Sequence, residues 1–521
     1  MTRIVTTLPE LRALRADWER LLPSSPAVSG FHSPGWIEAC WEARSGTDRQ
    51  LHLLVAERDG TVVGILPTQV GPRGELSFIG AGVSNYGGPI VVPDHAADAS
   101  AEWLTAIAAD PRIRSLQLAG LRAGDPFLRA LRGWRHPRWG ATRLVLTNIS
   151  PEVDLSGWAD RYRAHKSHRR VLQRAERRLE AFGALTFEET ADPTRIRADL
   201  PDLFRFYRRR WSGRWVSGAF SERNQTFQLR AADSGAELFS TLRLDGRIVA
   251  AALSLRAAGV SSGYVLGHDD RLGPYSPGTL IIMRVLSAAA ERGDPVFDFS
   301  LGRSAYKLTW ADSERSVYLA VAGAGSALLV VRHRLWARAR SVSWLRRAKV
   351  EGPRLLGDLL GQTRQAPDSP GIPTPAPADW TVYRLSGSAP AAALEQNVLG
   401  FWEMERRFSP RLLELGVERS YRGDRAYSIS RLGTELGIAW LAGPARHAAI
   451  AAALPVGQPI GGCWYQPIPT GGNRLADLVA ALAQPGVLVA CAGPLPDERF
   501  QVVGQVTAER SARASGGADG G

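Results

Sequence analysis

The stretch DFSLGRSAYKLTW, residues 298–310, ends a strand-like run on glycine and then sets Tyr306, Lys307 and Trp310 at close spacing. A lysine there offers charge to a phosphate or an acidic substrate, the phenol a hydrogen bond and the indole a wall. The structural alternative is a short helix anchored by Tyr306 and Trp310, with the Lys307 stem running outward to water. In VFDFSLG, Phe297, Phe299 and Leu301 alternate with Asp298 and Ser300. Asp298 therefore points away from the aromatic face, to solvent or into a cleft. Upstream, YSPGTLIIMRVLSAAAERG reads as a buried helix, with Ser276 as N-cap, Pro277 at the first helical position and Gly293 as the stop. Its polar start follows a strand, so the N–H groups there form a ready anion site. The run HKSHRRVLQRAERRLEAFG brings His165, Lys166, Arg169 and Arg170 onto a second helix, whose basic faces would hold an anion by charge. His165 and His168 also extend the apolar stripe Tyr162, Leu172, Ala175, Leu179 and Phe182, which suits packing equally well.

The elements that must position these residues form a mixed α/β pattern. LVAERDGTVVGILPTQV (54–70) aligns with STLRLDGRIVAAALSLR (240–256), Asp59-Gly60 falling on Asp245-Gly246. Each copy is a run of strand formers, an Asp-Gly turn and another run, which is a hairpin signal. LSFIGAGVSNYGGP and SSGYVLGHDDRLGP follow the two copies. A spacing of 186 residues is too long for a solenoid and suits a duplicated domain. LPELRALRADWERLL and SPGWIEACWEA read as helices near the start. TRQAPDSPGIPTPAPAD (363–379) is a proline-rich linker. Beyond it, RAYSISRLGTELGIAWLAG and GVLVACAG read as strands, NRLADLVAALAQ and FWEMERRFSPRLLELG as helices. Residues 380–510 are thus expected to form a small α/β module, read as a third divergent copy, and 511–521 a disordered tail.

The chain has 521 residues, 45% hydrophobic and 22% charged, which suits several ordinary cores. Its net charge is +13, and the excess sits in 161–180 and 326–350. Anionic partners follow: nucleic acid, a membrane surface or a polyphosphate cofactor. The arginine-rich, tryptophan-bearing segment 326–362 reads as amphipathic; 326–350 would lie on an anionic inner membrane or cover the catalytic body. Cys40, Cys463 and Cys491 are few and far apart, so neither a disulfide framework nor a metal site is expected. With no apolar leader and no run long enough to span a bilayer, the expectation is a cytoplasmic protein. Zincin, P-loop, Rossmann and nucleophile-elbow motifs do not occur.

Taken together, FHSPGWIEACWEA, the basic helix, DGRIVAAALSLR, YSPGTLIIMRVLSAAAERG and DFSLGRSAYKLTW resemble the CelD-type (cellulose biosynthesis) acetyltransferases of the GNAT superfamily, related to the FemABX peptidyl transferases. The resemblance covers residues 30–325. It implies two tandem GNAT-like halves, 1–155 and 156–325, the second carrying the donor site. It implies acyl transfer from acetyl-CoA or another acyl-CoA to an amine or hydroxyl of a sugar, lipid or amino-acid acceptor, without a metal. The strand SGYVLG would hold the acyl-pantetheine. Arg271, Gly273, Tyr275, Ser276, Gly278 and Thr279 would meet the pyrophosphate. Asp298 and His268 are the candidate bases, Tyr264 or Tyr275 the acid, and Tyr306 and Lys307 contact substrate. The usual arginine- and glycine-rich pyrophosphate loop is replaced by RLGPYSPGTL, and Pro277 lacks an N–H. An acyl-carrier protein or an aminoacyl-tRNA therefore stands as an alternative donor, and a non-catalytic scaffold in envelope polysaccharide assembly as an alternative function.

Overall fold

The computed structural model describes residues 1–43, 48–164, 166–211 and 222–323, with shorter stretches between 380 and 506. The predicted segment 326–362, the linker 363–379, the tail 511–521 and the helix NRLADLVAALAQ lie outside the described residues. The chain divides into two compact units: 1–172 with 186–270 and 277–363, and 173–185 with 271–276 and 364–521.

In the first unit, the N-terminal half runs β1 (Thr2–Val5), α1 (Leu8–Ala13), α2 (Arg15–Leu21), α3 (Pro34–Glu42), β2 (Gln50–Leu51), β3 (Leu53–Arg58), β4 (Thr61–Leu66), β5 (Thr68–Val70), β6 (Glu75–Phe78), β7 (Ile90–Val91), α4 (Ala96–Ala109), β8 (Ser115–Arg122), α5 (Pro126–Gly133), β9 (Arg135–His136), β10 (Gly140–Ala141) and β11 (Arg143–Asp154). The next half runs α6 (Trp158–Ala164), α7 (Lys166–Glu180), β12 (Leu185–Thr190), α8 (Pro193–Trp211), α9 (Glu222–Ala231), β13 (Glu237–Leu244), β14 (Arg247–Ala257), β15 (Val260–His268), α10 (Pro277–Glu291), β16 (Val296–Asp298), α11 (Ala305–Leu308) and β17 (Ser313–Gly323).

Local chemistry explains most boundaries. Ser33 caps α3 by accepting from the Trp36 N–H, with Pro34 at the first position. Both Asp-Gly pairs turn hairpins with positive φ at each residue, 50° and 76° at Asp59-Gly60, 46° and 76° at Asp245-Gly246. Pro277 opens α10 as expected and Gly293, at φ 78°, ends it. Ser276 sits at φ 49°, so it lacks the extended backbone of the predicted N-cap. The stripe Leu172, Ala175, Leu179 and Phe182 is buried.

An eleven-stranded sheet, ordered β12-β13-β14-β15-β16-β11-β17-β8-β6-β5-β2, runs through both halves, beside a four-stranded sheet β1-β3-β4-β7. Each half contains one parallel pair, β6 with β8 and β15 with β16. Each also ends in a strand that pairs beside the other half's parallel pair: β11 lies next to β16, and β17 next to β8. The halves are therefore interlocked by reciprocal strand exchange. In the second unit, β18 (Trp380–Leu385), β19 (Leu394–Val398), β20 (Arg425–Arg431), β21 (Thr434–Leu441), β22 (Gly462–Pro469), β23 (Val487–Ala492) and β24 (Phe500–Val506) form a seven-stranded sheet, β19-β20-β21-β22-β23-β18-β24. Chain order and sheet order match those of β11 to β17, and β22 and β23 are again the parallel pair. The C-terminal module repeats the topology of the second half.

Candidate active site

Strands β15 and β16 pair over three residues only, Val260 with Val296, Ser261 with Phe297 and Ser262 with Asp298. β15 then continues to His268 while β16 ends. The gap between them is a cavity of about 60 Å3 lined by Gly263, Val265, Ile282, Phe297, Phe299 and Tyr306, with Tyr264 and Lys307 at its wall. Gly263 stands where the strands part. A Cβ there would lie 3.3 Å from the Phe297 ring, so only a small residue keeps this mouth open. The predicted strand SGYVLG and the predicted Tyr306 and Lys307 meet here.

Lys307 does not run outward to water. Its buried ammonium donates to three successive carbonyls, Phe299 at 2.7 Å, Ser300 at 3.3 Å and Leu301 at 2.7 Å. That turn needs holding: Ser300 has φ 57° and Gly302 φ 102°. Burial pushes the Lys307 ammonium down to about 8, against a smaller opposing pull from Asp298. Tyr306 packs edge-on to Phe299, with ring centroids 6.4 Å apart.

Asp298 lies neither at the surface nor in the cleft, as its alternation had suggested. It is fully buried on the opposite face of β16. Its Oδ1 accepts from Tyr86 Oη at 2.9 Å, from the Ser300 N–H at 2.7 Å and from Ser150 Oγ. Oδ2 lies 3.2 Å from Arg122 Nη2. Arg122 also pairs with Glu152, which Arg315 meets at 3.0 Å. With so many donors converging on it, Asp298 serves as a brace between the halves. Tyr264 is likewise spent: its hydroxyl donates to the Val83 carbonyl at 2.8 Å and accepts from Gln228 at 3.2 Å. Burial raises its pKa, first among several causes.

His268 closes β15 and rests on the start of α10, where a Cβ on Gly278 would come within 2.6 Å of its ring. Thr279 follows, half-buried. Arg271, Gly273, Tyr275 and Ser276 belong to the second unit. There Arg271 pairs with Glu405 and stacks over the Phe401 ring at 5.2 Å, and the buried Tyr275 donates to the Val417 carbonyl at 3.1 Å. Within that unit the Arg271 guanidinium and the Tyr275 hydroxyl are thus engaged by Glu405 and the Val417 carbonyl. His165 lies outside the described residues, and Lys166 opens α7. Arg169 is half-buried and Arg170 exposed; neither lines the cleft. The reading from sequence missed Arg122, Glu152, Tyr86 and Ser150. Arg122 at the end of SLQLAGLR and Glu152 within RLVLTNISPEVD were the available signal, since an ion in a strand of a buried sheet needs a partner.

Among the described residues, no group of three or more His, Cys, Asp or Glu is placed to hold a metal ion, and no helix is long and apolar enough to cross a membrane.

Residues 166–308 match the family model described as an acetyltransferase (GNAT) domain. No curated protein matches the chain. Solved structures similar to it include FemX, at 12% identity, covering 61% of this chain and 96% of that one with a TM-score of 0.42. The C-terminal domain of a putative lysylphosphatidylglycerol synthetase from Agrobacterium fabrum is 14% identical, with 62% and 96% covered and a TM-score of 0.41. A tandem GNAT protein from the clavulanic acid biosynthesis pathway is 14% identical, with 62% and 98% covered and a TM-score of 0.34. The chain thus carries a GNAT acetyltransferase domain over 166–308, within a mixed α/β fold of GNAT-like domains.

Proposed function

We propose that the second half is an acyltransferase centre that takes an acyl-CoA thioester, in the first instance acetyl-CoA, between β15 and β16. The observation that carries this reading is the parallel pair that closes for three residues and then parts around a glycine. The backbone of β15 beyond Ser262 has no partner on β16, which suits an extended pantetheine arm. The acceptor's amine or hydroxyl attacks the thioester carbonyl carbon. The new C–N or C–O bond forms, the C–S bond breaks, the attacking group loses its proton to a base, and the thiolate takes one up as CoA leaves. His268, at the end of β15, is the candidate base. Tyr306, the phenol that lines the cleft beside Phe299, is the candidate donor to the thiolate, because the Tyr264 and Tyr275 hydroxyls are spent on carbonyls. Lys307 fixes the wall against which the acyl group lies.

One feature favours another donor. Arg271 pairs with Glu405, and Pro277 contributes no N–H to the start of α10. A site with so few anion contacts suits an aminoacyl-tRNA or acyl-carrier donor, held mainly through surfaces elsewhere. Thermal unfolding with acetyl-CoA, longer acyl-CoAs, free CoA and bulk tRNA separates the two. A rise in Tm with CoA thioesters supports the first reading. A rise with tRNA alone replaces it with the second, and no rise with any of them points to a non-catalytic scaffold.

A further inference from the structure

The first half has a parting parallel pair of its own. β6 and β8 pair at Glu75 with Ser115 and at Leu76 with Leu116, and separate beyond. The space between them opens into a trough of about 860 Å3, large enough for a molecule the size of a disaccharide or a nucleotide. Ser115, Gln117 and Ala119 alternate along β8, with Ser77 of β6 on one side and Val317 and Leu319 of β17 on the other, while the opposite face carries Leu116 and Leu118 into the core. A floor that mixes small polar side chains with apolar ones suits a ligand that carries hydrogen-bonding groups on an apolar stem.

The ends of the trough differ in charge. At the closed end Arg49, Arg73 and Arg114 converge with a single acid, Glu75, which Arg49 meets only at 3.9 Å. Arg73 and Arg114 are exposed and make no ion pair among the described residues. The other end is built from Tyr86, Gly120 and Leu301. Tyr86 is the residue that hydrogen-bonds Asp298, and Leu301 is the last of the three residues whose carbonyls Lys307 holds. The first of them, Phe299, lines the thioester cleft. The trough and the cleft therefore lie on either side of one pinned turn, Phe299 to Leu301.

We propose that the trough is the acceptor site, and that it takes an elongated acceptor with a phosphate or carboxylate on Arg49, Arg73 and Arg114 and its amine or hydroxyl at the Tyr86–Leu301 end. This rests on the acyl-transfer reading for its role, though the anion site itself does not.

The test is calorimetric titration of the full chain and of the double variant Arg73→Gln/Arg114→Gln, whose changed residues are exposed. Four probes are used: glucosamine 6-phosphate, 6-aminohexanoate, plain glucosamine and acetyl-CoA. The expected result is that one of the two anionic probes binds the native chain better than glucosamine does, and binds the double variant at least roughly tenfold more weakly, the size of one or two lost charge-assisted hydrogen bonds. The phosphate and carboxylate arms tell which anion is meant. Acetyl-CoA is expected to bind both proteins alike. Equal binding of the anionic probes to both proteins overturns the proposal, as does failure of both to exceed glucosamine. Loss of acetyl-CoA binding in the double variant also overturns it, since the trough would then hold the donor. If acetyl-CoA binds neither protein while anion binding still depends on the arginines, the acyl-transfer reading falls and the anion site remains.

Discussion

Arg122 of the first half and Asp298 of the second approach to 3.2 Å with both side chains buried. Arg122 ends β8, and Asp298 ends β16, the short strand of the cleft. A charge pair removed from water stabilises little on balance, but breaking it leaves the partner ion buried alone. Arg122→Met would leave the buried Asp298 without its cation, and Glu152 with Arg315 alone, and is expected to cost about 3–5 kcal/mol in denaturant unfolding. Arg122→Met with Asp298→Asn should cost clearly less than the sum of the single changes. Strict additivity would refute the pairing.

Lys307 gives a second prediction. Lys307→Met leaves three carbonyls without this donor, two of them buried, and should lower turnover at least tenfold while lowering Tm. Lys307→Arg should not rescue it, because a planar guanidinium cannot address three carbonyls of one turn as an ammonium does. The pH dependence has a definite sign. The folded pKa of about 8 lies below the ordinary 10.5, so the folded state sheds the proton first. The penalty for burying the charge is full below pH 8 and relieved between about 8 and 10.5. Stability of the native protein relative to Lys307→Met should rise through that window, while turnover falls as the turn loses a donor. A flat stability difference across it would remove the buried ammonium from the account.

Much of this fold was legible because local rules were decisive. The two Asp-Gly pairs announced the hairpins, and their equal placement announced the duplication. The helix 277–291 showed its proline start and glycine stop. The resemblance pointed to SGYVLG, and that stretch of β15 lines the cavity. What the sequence concealed was long-range. Nothing local says that β11 and β17 change places between the halves, so Asp298 was read by strand alternation as facing solvent or cleft when β11 and Arg122 cover it. Similarly, Arg271 beside a helix start looks like an anion ligand until Glu405, 134 residues on, claims it. The trough was missed because its arginines come from three separate segments, at 49, 73 and 114.

Two tyrosines on neighbouring elements should behave oppositely. Tyr306→Phe removes the phenol that lines the cleft and should lower kcat by about a hundredfold, within the usual range for a positioned proton donor, with KM for the donor little changed. Tyr264→Phe removes a hydroxyl that serves Val83 and Gln228. It should lower stability by about 1–2 kcal/mol and leave kcat nearly intact. Steady-state kinetics and unfolding of both variants decide the matter. Reversal of the two patterns would move the acid role to Tyr264.

Glu237 supplies the clearest pH test of the core. It opens β13 almost fully buried, and neither carboxyl oxygen has a hydrogen-bond partner among the described residues. Burial, with a smaller contribution from Asp233, raises its pKa to about 8 from the ordinary 4.5. A carboxyl with a raised folded pKa contributes most below the unfolded value, and that contribution is lost as pH climbs to the folded one. Native stability should therefore decline between pH 4.5 and 8, through ionisation of the unfolded chain while the folded chain stays protonated. Glu237→Gln keeps the shape and removes the proton, so its stability should not follow that decline. At pH 8 the variant should exceed the native protein by up to roughly 3–5 kcal/mol, and near pH 4.5 the two should be alike. Parallel stability curves for the two proteins would mean that water or a rearranged partner reaches Glu237, and that the core beside Tyr264 is not dry.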